Sequence, residues 1–319
     1  MIINFVGSFT TGYVGETSDE SHLAHEMEAL GHEVRRLPRD EWREYVISGE
    51  TYPNIPSDLT ASINIIAKWN GFNDGSFVRE LRRKSAAPVF YWVWDYMQGE
   101  EWHMEIVKAS DLYIANDVFS GQYKGLQNCY YFPFDVSSKD FDSVESKKIW
   151  DVTFFGSWIP QGHRQEWLQA INKEVPVTIF SWNNKEWPKE FKHTFPAVYG
   201  EEFSKSVSQT KICLGFSVNS YTWGYWSNRV GKILSCGGFL LYEYTPGMEL
   251  FLREGADYFS SPEEAVEKIK YYLQNEEKRQ IKASLGYMQG RDRFTSEERV
   301  KDLMILIDRY LKKKNPWNL

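Results

Sequence analysis

Cysteine is scarce in this sequence: three residues, Cys129, Cys213 and Cys236, stand far apart with no C-x-x-C spacing. Such a scatter speaks against a disulfide framework and a structural zinc site, and it suits a reducing compartment. Long apolar runs are missing as well. None reaches the roughly 20 residues needed to span a bilayer. The opening MIINFVGSFTTGYVGE has neither a basic leader nor a long apolar centre, so no signal peptide is read. A cytoplasmic protein without a membrane span is the expectation. Positive charge is in deficit, with 37 Lys and Arg against 44 Asp and Glu and a formal net charge of -7. Nonspecific binding to duplex nucleic acid depends on cations that neutralise phosphates, so it is disfavoured as the main activity. Neither half carries a G-x-G-x-x-G followed by an acidic residue at the ribose position, which argues against a dehydrogenase. No repeat of short period is present.

What the chain does contain is globular. Hydrophobic residues make up 42% and charged residues 25%, so disorder is not the default. A length of 319 residues exceeds one ordinary core and fits two domains of about 150 residues. Aromatic residues are plentiful at 16%, with 13 Trp. Flat rings suit the apolar faces of sugars, but they also fill cores, and most are read here as core.

Ile2 to Val6 reads as a buried first strand and Gly7 to Thr17 as a glycine-bearing loop. Ser18 or Asp19 caps a helix with Leu23, Met27 and Leu30 inward, stopped by Gly31, and Glu33 to Leu37 is the next strand. Ser62 to Ala67, Val89 to Val93 and Leu112 to Asn116 add strands, with a basic helix around Phe77 to Lys84. Strands alternating with helices imply a parallel sheet, whose ligands sit beyond the carboxyl ends of its strands. Asp95 follows the strand Phe90 to Trp94 at such an end. It is a candidate catalytic or acceptor-binding carboxylate, although a loop Asp gives the same pattern.

A polar run, Ser137 to Lys148, reads as a linker. Its Asp140-Phe-Asp142 string has the form of a metal site bridging to a diphosphate, but three residues in a charged linker are weak support. A second alternating series follows, with strands at Asp151 to Phe155, Val177 to Phe180 and Lys211 to Phe216. Ser261-Pro262-Glu263-Glu264 opens one late helix with a cap and a Pro at its first position. Thr295 to Glu298 opens the last. The architecture expected is α/β, two Rossmann-like domains facing a central cleft. Residues 1–136 form the first, 137–150 the linker and 151–319 the second, with the last helix able to pack back toward the first.

The most informative stretch is Asn228 to Glu243. A short helical pattern runs into Gly237-Gly238 and then an apolar strand, with Arg229 and Lys232 three apart and so on one helical face. Two cations near a helix start add to backbone N–H groups that already favour anions, a combination suited to a diphosphate. An ordinary solvated Arg and Lys would look the same.

The residues Asp151-Val-Thr-Phe-Phe-Gly-Ser, Arg164, Lys211-Ile-Cys-Leu-Gly-Phe, Asn228-Arg229, Cys236-Gly237-Gly238-Phe-Leu-Leu, Glu254-Gly255, Glu263-Glu264 and Arg299 resemble the CgeB-like, spore-maturation type of glycosyltransferase. That type is similar to the broader two-Rossmann (GT-B) group of sugar-nucleotide transferases. The resemblance covers residues 150 to 310 well and the first half loosely. It implies a nucleotide-diphosphate sugar held mainly by the second domain, an acceptor held mainly by the first, no cofactor beyond that co-substrate, and no obligatory metal. By position, Gly156 and Ser157 let the backbone approach the diphosphate, and Asn228 and Gly237 belong to the donor stretch. Arg164 and Arg229 neutralise charge as the sugar departs, and the forked guanidinium of Arg229 binds phosphate in a bidentate way. Family members commonly place a Glu three residues after that Arg, where it accepts hydrogen bonds from the ribose. Here the position is Lys232, which can only donate and so suits a phosphate. The earlier Glu of retaining relatives falls near Gly224 and is also absent.

These residues make the chain a candidate glycosyltransferase acting on an acceptor hydroxyl. On an inverting route Asp95 or Asp19 is the candidate base. On a retaining route the departing phosphate takes the proton, and Arg164, Arg229 and Lys232 carry the catalysis. Trp223 and Tyr225, with Trp226, are placed to stack on base or sugar, or to pack between domains. Tyr13 and Glu16, in the first glycine loop, are candidate acceptor contacts. The acceptor is open: a glycan, a small molecule or a modified DNA base. A degenerate protein that binds nucleotide or sugar without turnover is the alternative from another class.

Overall fold

The computed structural model describes residues 1–9, 18–67, 75–97, 101–133, 141–159 and 163–314. Contacts divide the chain into two compact units, residues 1–133 with 296–319, and residues 134–295. The stretch 141–149, expected as a linker, is fastened to the second unit: Lys148 Nζ donates to the carbonyls of Ser208 and Thr210, and Phe141 packs edge-on against Phe203.

The first unit is built on β1 (Ile2–Gly7), β2 (Glu33–Pro38), β3 (Ile63–Ala67), β4 (Val89–Val93), β5 (Leu112–Ala115) and β6 (Cys129–Tyr131). They form one sheet in the order β2-β1-β3-β4-β5-β6, and every pairing is parallel. Its helices are α1 (Asp19–Ala29), α2 (Arg39–Ser48), α3 (Ser76–Ser85), α4 (Glu101–Ala109) and the last of the chain, α11 (Ser296–Lys314), which packs on α1. Burial on both faces explains the near-continuous apolar runs of β3 and β4, where no residue is exposed. Ser18 caps α1 by accepting from the Ser21 amide, so Asp19 is the first helical residue. Leu30, expected inward, is the C-cap and is exposed, because the helical stripe has ended at Met27.

The second unit repeats the plan with β7 (Trp150–Phe155), β8 (Thr178–Ser181), β9 (Thr194–Pro196), β10 (Thr210–Gly215), β11 (Leu240–Glu243) and β12 (Asp257–Phe259), in the order β12-β11-β10-β7-β8-β9. All of these pairs are parallel too. Around them lie α5 (His163–Glu174), α6 (Gly200–Ser208), α7 (Arg229–Ser235), α8 (Met248–Leu252), α9 (Pro262–Gln274) and α10 (Glu276–Arg293). The chain winds outward from β7 to β9, then returns to start β10 on the other side of β7. The crevice at that reversal, beyond the carboxyl ends of β7 and β10, is where ligands of open α/β sheets bind.

Two Rossmann-like sheets are thus present, as expected. The three cysteines are free, and Cys213 and Cys236 are buried. Among the described residues no helix is long and apolar enough to cross a membrane. The cap read at Ser261 is formed: its hydroxyl accepts from the Glu264 amide at 3.2 Å, with Pro262 at the first helical position. Replacing Ser261 by Ala is expected to lower stability by about 1 kcal/mol, read as a shift of the urea midpoint at unchanged slope.

Candidate functional site

At the reversal in the second sheet lies a cavity of about 210 Å³, lined by Gly156 and Ser157, by Phe180 and Trp182, by Tyr199, and by Asn228, Arg229 and Lys232 among others. Each group arrives from a strand end or helix start. Gly156 and Ser157 follow β7, Trp182 follows β8, Tyr199 lies three residues beyond β9, and Arg229 and Lys232 share one face of α7.

The cations are set by the main chain after β7. Arg229 Nη1 donates to the Phe155 carbonyl at 2.6 Å, and Arg164 Nη2 donates to the Ser157 carbonyl at 3.0 Å. The two guanidiniums therefore grip the backbone on either side of Gly156. A Cβ at Gly156 would run into Arg229 Nη1 and the Phe154 ring, so the glycine is there to admit the arginine. Arg164, only 5% exposed, lies over the face of Phe154. Burial first, and then the like charge of Arg229, push its guanidinium down to about 10, which still leaves it charged at neutral pH. Lys232 Nζ stands 5.1 Å from the centre of the Phe141 ring. Two neighbouring guanidiniums and an ammonium create a local demand for an anion despite the net negative charge of the chain. Because α7 has only seven residues, that demand rests on side chains and much less on a helix dipole.

The opposite wall is aromatic. Phe155 and Phe180 stack at 5.3 Å with planes 15° apart, and Phe180 stacks in turn on Phe195. At the rim Trp182 is 67% and Tyr199 53% exposed. An anion-attracting corner beside exposed rings suits a ligand that is charged at one end and flat at the other.

Of the residues singled out in the sequence, Gly156, Ser157, Asn228, Arg229 and Lys232 line this cavity, and Arg164 stands directly behind Ser157. Gly237 does not reach it. It makes the turn from α7 into β11 with φ +71° and lines a second cavity with Lys148, Lys211 and Arg279. Trp223 packs beside Phe251 and Gly247. Tyr225 is buried, near enough to Arg164 to influence its charge, and Trp226 is core. The aromatic lining comes instead from Trp182 and Tyr199, which the sequence reading passed over. Asp142 of the D-x-D string accepts from Tyr287 and from the Ser143 amide, and Asp140 lies outside the described residues. Among the described residues no group of three His, Cys, Asp or Glu could hold a metal ion.

In the first unit, Asp95 lies two residues beyond β4 and Asp19 opens α1, both half-buried on the carboxyl edge of that sheet. Tyr13 and Glu16 fall outside the described residues. The same edge carries an ion pair missed in the sequence: Arg39 Nη2 donates to Glu20 Oε1 at 2.9 Å and also bonds Ser8 Oγ. Burial lowers the Arg39 guanidinium, and Glu20 opposes the shift.

Residues 163–305 match a family model described as glycosyl transferase-like. No curated protein sequence matches the chain. Among solved structures, an alpha-glucosyltransferase in complex with UDP-glucose and DNA containing an abasic site is similar with a TM-score of 0.68 at 11% identity, over 96% of this chain and 98% of that one. Sucrose-phosphate synthase from Thermosynechococcus elongatus is similar with a TM-score of 0.68 at 11% identity, over 98% and 99%. HepE from Anabaena in complex with UDP and glucose gives 0.68 at 12% identity, over 96% and 99%. At these identities the likeness is one of fold, that of the two Rossmann-like domains of GT-B proteins. The family match lies within the second half of the chain, where the candidate site is.

Proposed function

We infer that the chain moves a sugar from a nucleotide-diphosphate donor to an acceptor hydroxyl. The observation that carries this reading is the convergence of Arg164, Arg229 and Lys232 around Gly156 and Ser157 at the reversal of the second sheet. The diphosphate takes its place against these cations and the base lies toward Trp182 and Tyr199. As the bond from the anomeric carbon to the diphosphate oxygen breaks, negative charge grows on the leaving group, and fixed guanidiniums stabilise it. Three cations supply this without a metal, so no obligatory metal is proposed. Lys232, in place of a carboxylate, is assigned to a phosphate, which a point charge suits.

Acceptor recognition is assigned to the first unit, and on an inverting route Asp95 or Asp19 receives the hydroxyl proton. On a retaining route the departing phosphate oxygen does so, and the anomeric configuration of the product by NMR separates the two. The CgeB-like subtype fits the residues that carry the resemblance, and a cytoplasmic location fits the scattered free cysteines. The net charge of -7 weighs against a DNA acceptor.

The test is a thermal-shift and donor-hydrolysis panel with UDP, GDP, TDP, CMP and ADP sugars. UDP-glucose comes first, because the alpha-glucosyltransferase of similar fold holds it. Stabilisation by one nucleotide, reduced about tenfold to a hundredfold in affinity by Arg229→Ala, is the expected result, since a hydrogen bond to a charged group contributes about 1.5–3 kcal/mol. Silence across the whole panel would move the reading to a protein without donor turnover.

A further inference from the structure

The carboxyl edge of the second sheet holds one pair for which diphosphate binding has no use. Glu243 is the last residue of β11 and is 3% exposed. Its Oε1 accepts from His163 Nε2 at 2.6 Å. Its other oxygen, Oε2, is shut from solvent and has no hydrogen-bond partner among the described residues. A buried carboxylate oxygen left unmatched is expensive, and this one stands at a strand end of the kind where α/β sheets bind ligands. It is also in electrical contact with the anion corner, since Glu243 is one of the charges that oppose the lowering of Arg164. His163 opens α5 directly before Arg164, with its side chain 29% exposed and its ring edge-on to Trp167.

Sheet order gives the pair its meaning. In the sequence β12-β11-β10-β7-β8-β9, the rings Trp182 and Tyr199 follow β8 and β9, the guanidiniums bracket the turn after β7, and Glu243 ends β11 on the far side. Two strand spacings, about 10 Å, separate β7 from β11. A ligand with its flat end toward β8 and β9 and its diphosphate at β7 therefore carries its remaining part toward β11. A carboxylate can only accept, so that part must donate hydrogen bonds, and it cannot be a further anion. In a nucleotide-diphosphate sugar, the portion beyond the diphosphate is the hydroxyl-rich ring.

We propose that Glu243, held by His163, receives a hydroxyl of the donor sugar. This rests on the donor-site reading above and adds a residue that distinguishes the sugar-bearing donor from the bare nucleoside diphosphate. His163 is a positioning residue that fixes the carboxylate by occupying Oε1.

The experiment compares two ligands in one titration series: UDP and UDP-glucose, with the ADP, GDP and TDP pairs in parallel, on the full chain and on Glu243→Gln. Removing a negative charge next to Arg164 should leave affinity for the diphosphate unchanged or improve it. Affinity for the sugar conjugate should fall about tenfold, as a charge-assisted hydrogen bond becomes a neutral one. The two ligands thus move apart, a result that a merely structural role for Glu243 does not produce. Should Glu243→Gln melt below the assay temperature, His163→Ala gives the second reading, with the same separation of ligands in weaker form. Parallel changes for diphosphate and sugar conjugate in the variants would overturn the proposal and leave the donor site standing. A native chain that binds neither ligand of any pair would overturn the donor reading and this proposal together.

Discussion

Gly156→Ala is expected to disable nucleotide binding while the chain stays folded. The added methyl would occupy the space of Arg229 Nη1 and press on the Phe154 ring. Those two neighbours differ in how they can give way. Phe154 is 1% exposed and held by Trp187 and Phe216, so it cannot move far. Arg229 is a long side chain anchored at this end by its bond to the Phe155 carbonyl, so it is the group displaced. The overpacking itself costs about 1–3 kcal/mol, which a domain of this size survives. Loss of a correctly aimed guanidinium costs a further factor of about 10–100 in affinity for a diphosphate. Calorimetric titration with the stabilising nucleotide, beside urea unfolding of the same sample, separates the two effects. Full affinity in Gly156→Ala would show that Arg229 does not face the ligand.

Sequence resemblance marked Gly156 for the approach of a diphosphate to the backbone; the structure adds that the space a Cβ would take there is filled by Arg229, 73 positions later in the chain. No local pattern carries that information, because it arises when β7 and α7 are brought side by side. The sheets were more legible. Buried parallel strands are nearly uninterrupted apolar runs, so β1 and β4 can be found to within a residue. Helix α10 was not foreseen. Its sequence is polar and contains Gly286 and Gly290, which read as breakers. Both glycines are buried, and a Cβ at either would meet the backbone or side chain of a neighbour, Gly255 or Leu234. They permit close packing against α7 and the turn after α8. Strand β9 was hidden for another reason: it is three residues long, ends in Pro196 and lies at the sheet edge, where a proline is tolerated.

Within the site, the pair Arg229 and Lys232 was legible because helical spacing puts them on one face without reference to the rest of the fold. The aromatic rim was not, since Trp182 and Tyr199 meet only through the pairing of β8 with β9. Glu243 did have a signal, a charged residue closing a buried apolar strand, which is the same feature that drew attention to Asp95. It closes the stretch from Asn228 and was given no role there, because the cations Arg229 and Lys232 account for that stretch on helical spacing alone.

Buried titratable groups in the first unit give the other large effect, and it concerns stability. Asp117, just beyond β5, is fully buried and accepts from Tyr113 at 2.8 Å and from Tyr123 at 3.0 Å. Tyr123 also bonds His103 Nε2 at 2.9 Å, and His103 Nδ1 meets the Tyr91 hydroxyl at 3.2 Å. Burial raises the Asp117 carboxyl to about 6, against the lowering effect of its tyrosine donors, and burial lowers His103 to about 4. The two shifts act in opposite directions. Asp117 binds its proton more tightly when folded, so its contribution is full below about pH 4 and is lost as pH rises through about 6. His103 prefers to be neutral when folded, so its contribution is full above about 6.5 and is lost as pH falls through about 4. Between these limits they largely cancel, and the native chain should show little net slope from this network. Asp117→Asn removes one partner of the cancellation. The amide can still accept from one tyrosine and donate to the other, and Tyr123 can turn its proton to His103 if the ring changes tautomer. A shift of roughly two units corresponds to about 3 kcal/mol. The stability of Asp117→Asn relative to the native chain should therefore rise by about that amount between pH 4 and pH 7.5. Paired urea titrations at half-unit intervals give the difference curve directly. A flat difference would mean that Asp117 carries its ordinary acidity despite its burial, with the two tyrosines fully offsetting the loss of water.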